Sequence, residues 1–294
     1  MLKPIDWRRN SLSAEVSLDL FTKYFLSRID SELIGIRQAS KLEQLSGFNS
    51  RIAYWKARTQ RHGSTGQWLT RTDRFVNWIS GSSPSVFWCT GNLGSGKTVM
   101  TGYVVESLSA KCQQSTEKVV YFFCQYDNQM SLQVTTILQS MIRQLLDHND
   151  DMFTANEASI NAVLDNPHDL VSLEDLLSRI VSSLKSVVVI LDGIDECSLK
   201  EMRQLLRTLR SLMLRPTPGL KLYLAGDNRI TDLIKSSLNP VYVVSTNVPE
   251  AGSDLKELVQ QLVNARREDE DLVAGDSDLY QEIVDALCTA SQGM

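Results

Sequence analysis

The residues Gly91-Asn92-Leu93-Gly94-Ser95-Gly96-Lys97-Thr98 set three glycines, a lysine and a hydroxyl at the spacing G-x-x-x-x-G-K-[ST]. Glycine lets the backbone curl so that successive N–H groups face one anion, and a helix starting there aims its positive end at the same point. That chemistry holds phosphate. Lys97 is expected to bridge β- and γ-phosphates, the Thr98 hydroxyl to take one site on Mg2+, and the stretch through Val99 to touch the nucleotide. A chain of this length matches the pattern by chance about once in 100 at ordinary composition. The competing reading is a glycine-rich turn with an incidental lysine. The motif follows the apolar run Val86–Cys89 and precedes a helical stretch, as phosphate binding requires.

A second group is Val187-Val188-Val189-Ile190-Leu191-Asp192-Gly193-Ile194-Asp195-Glu196. An apolar strand that ends in aspartate would put Asp192 at the carboxyl edge of a sheet, placed to hold Mg2+ through water. Glu196, with Asp195 beside it, is placed to orient or deprotonate an attacking water. The plain alternative is an acidic turn after a core strand, and the pairing with an upstream phosphate loop argues against it.

These residues need a scaffold, and the pattern supplies one. SVFWCT (85–90), KVVYFFCQY (118–126), SVVVILD (186–192), LKLYLAG (220–226) and VYVVS (241–245) are short, apolar and rich in β-branched and aromatic residues. They read as strands buried on both faces. Helical stripes lie between them: Leu132 to Leu146; Leu173 to Leu184, opened by Ser172 with Asp175 as a capping box; and Met202 to Leu212. Alternation of this kind predicts an α/β fold with a parallel sheet between helices. Towards the end, Asp254 is predicted to open a helix, 265–278 to be a solvated charged loop, and a last helix to surround Leu279, Ile283, Val284 and Leu287.

Composition bounds the rest. The chain has 294 residues, is 43% hydrophobic and carries a net charge of −5. That is globular and acidic, which argues against coating nucleic acid. There is no apolar run long enough to span a membrane and no signal-peptide core. Five scattered cysteines, Cys89, Cys112, Cys124, Cys197 and Cys288, without a C-x-x-C pair, fit reduced thiols in the cytoplasm. Three distant histidines give no metal spacing. Residues 1–75 hold 13 basic against 7 acidic side chains, and 76–294 hold 17 against 28. That step suggests a boundary near 65–75. The front reads as helical, from Phe21, Tyr24, Phe25, Ile29, Leu33 and Ile36. Arg51, Lys56, Arg58 and Arg61, interleaved with Tyr54 and Trp55, read as a solvated helix face rather than an anion-binding patch.

Taken together, the motifs resemble the NACHT branch of the signal-transduction (STAND) P-loop ATPases, in particular fungal NOD-like proteins with a nephrocystin-type N-terminal P-loop module. The resemblance rests on Gly63-Ser64-Thr65-Gly66-Gln67-Trp68-Leu69 with Phe75 and Trp78, on Phe87 to Val99, on Phe122 to Asp127 and on Asp192 to Glu196. Asn247 and Asp254-Leu255 resemble the start of the family's helical lid. It implies five parallel strands in the order 5-1-4-3-2, with the fourth strand leaving room for Glu196 to act on water. It also implies an ATP/ADP switch with Mg2+ and weak hydrolysis, self-association or pairing with other STAND-type proteins, and a division into a helical segment 1–64, a core 65–250 and the beginning of a lid 251–294. Ala290 to Met294 resembles a point where the family continues, so a truncated or excerpted chain is expected. The family usually carries an arginine sensor for the γ-phosphate after the fourth strand; here Asp227 takes that register and Arg229 stands two residues on. A non-catalytic nucleotide-binding or interaction module is therefore the main alternative. A small-molecule kinase is weaker, because it leaves Asp195-Glu196 without a use.

Overall fold

The computed structural model describes residues 32–112, 116–215, 219–239, 241–268 and 277–291, together with Leu26 and Arg28. Five strands form one parallel sheet: β1 (Ser85–Thr90), β2 (Glu117–Phe123), β3 (Ser186–Asp192), β4 (Leu220–Gly226) and β5 (Val241–Ser245). Their order is β2-β3-β4-β1-β5, the expected 5-1-4-3-2 read from the other edge. The pairings Phe123 with Asp192, Asp192 with Ala225 and Thr90 with Gly226 bring the carboxyl ends of β2, β3, β4 and β1 to one level.

Helices cover both faces, as a two-sided apolar strand demands. On one face lie α6 (Val134–Leu146), α7 (Asp150–Asp165), α8 (Leu170–Ser183), α9 (Leu199–Leu214) and α10 (Thr231–Ser237), packed on Val86, Trp88, Val120, Phe122, Val189, Leu191, Leu222 and Leu224. The other face carries α2 (Ser50–Thr59), α3 (Gln67–Arg71), α4 (Asp73–Ser80) and α5 (Lys97–Ser109) over Phe87, Cys89, Phe123, Val188, Ile190, Tyr223 and Ala225. Strand residues thus alternate between two cores, and deleting one such Leu or Ile side chain would cost about 2–5 kcal/mol. A helix over 32–45 (α1) precedes these, tied to α7 by Lys41 and Glu157 at 2.7 Å. The chain ends in the pair α11 (Pro249–Glu268) and α12 (Ser277–Ser291), which share Val259, Val263 and Val284.

Several local expectations change. The cap of α8 is Asp169, whose carboxylate accepts from the N–H groups of Val171 and Ser172, so Ser172 lies inside the helix rather than opening it. Asp254 does not open α11, which begins five residues earlier at Pro249. The charged stretch 265–278 is helical through Glu268 and again from Ser277; residues 269–276 lie outside the described ones. β2 stops at Phe123, leaving Cys124 to Tyr126 in the loop. Leu33 and Ile36 do lie on a helix, α1, and are exposed there; Phe21, Tyr24, Phe25 and Ile29 lie outside the described residues. The basic residues of α2 do face water and acidic neighbours, as expected: Arg58 pairs with Glu106 and Arg51 with Asp147, while Arg61, beyond the helix, is largely covered and also pairs with Glu106. Ala53 and Ala57 are the small residues that let α2 press onto α5, where Ala57 meets Gly102.

Candidate functional site

The loop from Gly91 to Gly96 leaves the end of β1 and turns into α5, whose first residue is Lys97. Gly91 is required by crowding. A Cβ there would stand 1.8 Å from Thr246 Oγ1, just after β5, and 2.7 Å from Ser95 Oγ. Thr246 in turn donates to Ser95 Oγ at 2.9 Å and bonds through its N–H to the Thr90 carbonyl. β5 therefore braces the loop. Leu93 sits at the loop's tip, 79% exposed, and Gly96 caps α5 in the left-handed region. The Lys97 ammonium donates to the carbonyls of Gly91 (2.9 Å) and Asn92 (2.7 Å), folded onto the loop it belongs to.

Asp192 ends β3 and is buried, with 3% exposure. One carboxylate oxygen accepts from Thr98 Oγ1 at 2.7 Å and the other from Thr101 Oγ1 at 3.0 Å. Burial pushes its pKa up to about 6 against those two bonds and Lys97. Thr101 is three residues after Thr98, so both hydroxyls lie on one face of α5; that spacing is in the sequence, although the motif stops at Thr98. Gly193 then turns the chain at φ +70°, where a Cβ would meet the Cys124 carbonyl at 2.7 Å. A short 3-10 turn, Ile194–Glu196, follows. Asp195 and Glu196 line the same cleft as Gly94 to Val99, and burial, followed by the Asp195 charge, raises the Glu196 pKa.

The loop after β4 gives an arrangement the sequence does not announce. Asp227 and Arg229 form an ion pair at 2.8 Å, which raises the guanidinium pKa and holds the carboxyl low. Both line the cleft, with the Arg229 side chain 83% exposed. Asn228, between them, touches the phosphate loop instead: its amide donates to Asn92 Oδ1 at 3.1 Å and its oxygen accepts from Thr90 Oγ1 at 2.5 Å. The cleft encloses about 650 Å³ and is also lined by Lys56 of α2, by Gln60 at that helix's carboxyl cap and by Gln125 to Asp127. That volume suits a nucleotide-sized ligand.

The residues fit a nucleotide with a divalent cation. Asp192 and Thr98 offer oxygen donors side by side, the chemistry Mg2+ selects. The Lys97 ammonium rests on carbonyls at the mouth of an α-helix, where an anion would draw it away. Gly91, Asn92, Leu93, Gly94, Ser95, Gly96, Lys97, Thr98, Asp192, Asp195, Glu196 and Arg229 all lie around the carboxyl edge of β1, β3 and β4. Among the described residues, no helix is long and apolar enough to cross a membrane.

Known proteins were compared with the chain. The family described as "Nephrocystin 3, N-terminal" matches residues 64–226. The vegetative incompatibility protein HET-E-1 of Podospora anserina is 21% identical over 148 residues, 48% of this chain. The chain spans about a tenth of that relative's length, since the match covers 11% of it. Solved structures with a similar arrangement include the Drosophila ORC bound to DNA, at 15% identity and a TM-score of 0.45 over 77% of this chain and 57% of that one. A Walker-type ATPase of Pyrococcus abyssi gives 14% identity and a TM-score of 0.44 over 78% and 63%.

Proposed function

We propose, since the chain belongs to the nephrocystin 3 N-terminal family and is a NACHT-like P-loop NTPase module, that it is an ATP/ADP-operated switch with weak Mg2+-dependent hydrolysis. The observation that carries this reading is the Thr98–Asp192 hydrogen bond, which joins phosphate loop and acidic strand end at the floor of one cleft.

In this reading the backbone N–H groups of Gly94 to Thr98 bind phosphate, and Lys97 leaves its carbonyls for the β- and γ-oxygens. Thr98 and Asp192 hold Mg2+, which neutralises charge on the phosphate oxygens when bound. Glu196 accepts the proton of a water in line with the γ-phosphate; burial raises its pKa, which strengthens it as a base. Asp195 adds to that effect by its charge. Asn228 offers an amide beside the loop where the terminal phosphate would lie, and Arg229 offsets Asp227. The acidic balance of the core favours a free nucleotide over nucleic acid as the phosphate partner. The segments 1–64, 65–250 and 251–294 would act as helical lead-in, core and beginning of a lid. Self-association in fungal NOD-like signalling is the role that the likeness to a vegetative incompatibility protein supports.

A second reading, binding without turnover, draws on Asp227 and Arg229: the arginine nearest the sensor position is engaged by its neighbour. Thermal shift with ATP or ADP, with and without Mg2+, tests binding. Ligand at 100 times its Kd should add about 2.7 kcal/mol to the wild type and nothing to Lys97→Ala. No shift in the wild type, or equal shifts in both, would refute nucleotide binding at this loop. Phosphate release abolished by Glu196→Gln with binding intact would establish hydrolysis; no release from the wild type would leave the binder.

A further inference from the structure

Two cysteines meet directly behind Glu196. Cys124 follows β2, and its N–H bonds to the Asp192 carbonyl at 2.9 Å. Cys197 follows Glu196 at the end of the 3-10 turn. Their sulfurs are 3.8 Å apart, although the residues are 73 positions apart in sequence. Both side chains are buried, at 7% and 6% exposure, but Cys124 is part of the cleft wall beside the phosphate loop.

We propose that Cys124 and Cys197 form a reversible disulfide when a peroxide enters the open cleft, and that bound nucleotide shields the pair. The sulfurs must approach by about 1.8 Å to reach bonding distance. Both residues have extended or loop backbone at the ends of their elements, so rotation and a small loop shift can supply that approach. The reaction balances with hydrogen peroxide as oxidant. The Cys124 sulfur attacks one peroxide oxygen, the O–O bond breaks, and a sulfenic acid and a water result. The Cys197 sulfur then attacks the sulfenic sulfur, losing its proton to the departing hydroxyl as a second water. Two thiols are oxidised by two electrons, and the peroxide is reduced to two waters.

The geometry gives the bond a consequence. Gly193, between the two cysteines' loops, passes so near the Cys124 carbonyl that a Cβ would not fit, which leaves little room on that side. Because Cys197 directly follows Glu196, drawing it towards β2 moves the turn carrying Asp195 and Glu196 relative to Asp192 and Thr98. Oxidation would displace the acidic turn from the phosphate loop. The bond-forming half stands on the sulfur distance alone; the shielding half rests on the nucleotide reading above.

The test is peroxide treatment of the free full chain, followed by non-reducing peptide mapping by mass. A peptide joining Cys124 to Cys197, lost on adding dithiothreitol and never formed in Cys197→Ser, is expected. Oxidation of Cys112 and Cys288 without that linked peptide would overturn the proposal. With ADP and Mg2+ at 100 times the Kd found by thermal shift, about 1% of the cleft stays open, so linkage should slow roughly 100-fold. An unchanged rate in protein shown to bind would overturn the shielding. Linkage in protein that gives no thermal shift would sustain the disulfide and reject the nucleotide reading.

Discussion

Asparagine in place of Asp192 should stabilise the free protein while removing its hold on Mg2+. Burial lifts the folded pKa from 3.8 to about 6, so the folded state binds this proton more tightly than the unfolded chain does. The group therefore costs nothing below about pH 4, costs more as pH rises to about 6, and costs a constant amount above that. A shift of this size is worth about 3 kcal/mol at pH 7 and about 1 kcal/mol at pH 4.5. The Asp192→Asn amide keeps the shape, accepting from one of Thr98 and Thr101 and donating to the other. Urea unfolding of both proteins at the two pH values reads the difference. The variant's advantage should grow by about 2 kcal/mol from pH 4.5 to 7, while the stabilisation that MgATP gives the wild type is lost. A stability difference that does not change with pH would show that burial does not raise the Asp192 pKa, and the reasoning would fail.

Other perturbations follow from the same contacts. Gly91→Ala should cost about 2–4 kcal/mol in denaturant unfolding, because its Cβ overlaps Thr246 Oγ1. Adding Thr246→Ala should recover part of that loss, and a neutral Gly91→Ala would contradict the brace from β5. Arg229→Ala leaves the Asp227 carboxylate uncompensated in the cleft and should weaken ATP by roughly fivefold more than ADP at low salt, less at high salt. Equal losses for the two nucleotides, read by titration calorimetry, would show that the pair does not face the γ-phosphate. Gly193→Ala forces a left-handed residue against the Cys124 carbonyl and should lower the melting temperature by several degrees; an unchanged melting temperature would mean that the turn relaxes freely.

Much of the fold was legible because its signals are local. Four of the five strands match their apolar runs to the residue, since β-branched and aromatic residues buried on both faces leave little ambiguity. β2 ended early because Cys124 and Tyr126 are apolar by type but serve the loop. Helix α7 was not visible: it buries only Phe153, Ile160 and Val163, too sparse a stripe for the periodicity to register. The α8 boundary was misread because Ser172 and Asp169 are both good caps, and the choice depends on where the chain arrives. At the site, Lys97, Thr98 and Asp192 were marked by motif. The contact of Asn228 with Asn92 was not, because it joins two loops 136 positions apart whose meeting depends on β1 lying beside β4.

The turn before α3 carries a consequence for the order in which the protein is completed. The Gly66 N–H donates to Asp254 at 2.5 Å and Ser64 to Glu257 at 3.0 Å, spanning 188 and 193 positions. On a ribosome the amino-terminal part emerges first. This turn, which lies against Met100 of α5, must therefore wait without its partners until α11, 188 and 193 positions further on, has been made. Closing such long loops is entropically costly, so these ties form late even in a released chain. A nascent chain that stops after β5 would display a finished sheet and phosphate loop with the lead-in turn unfastened.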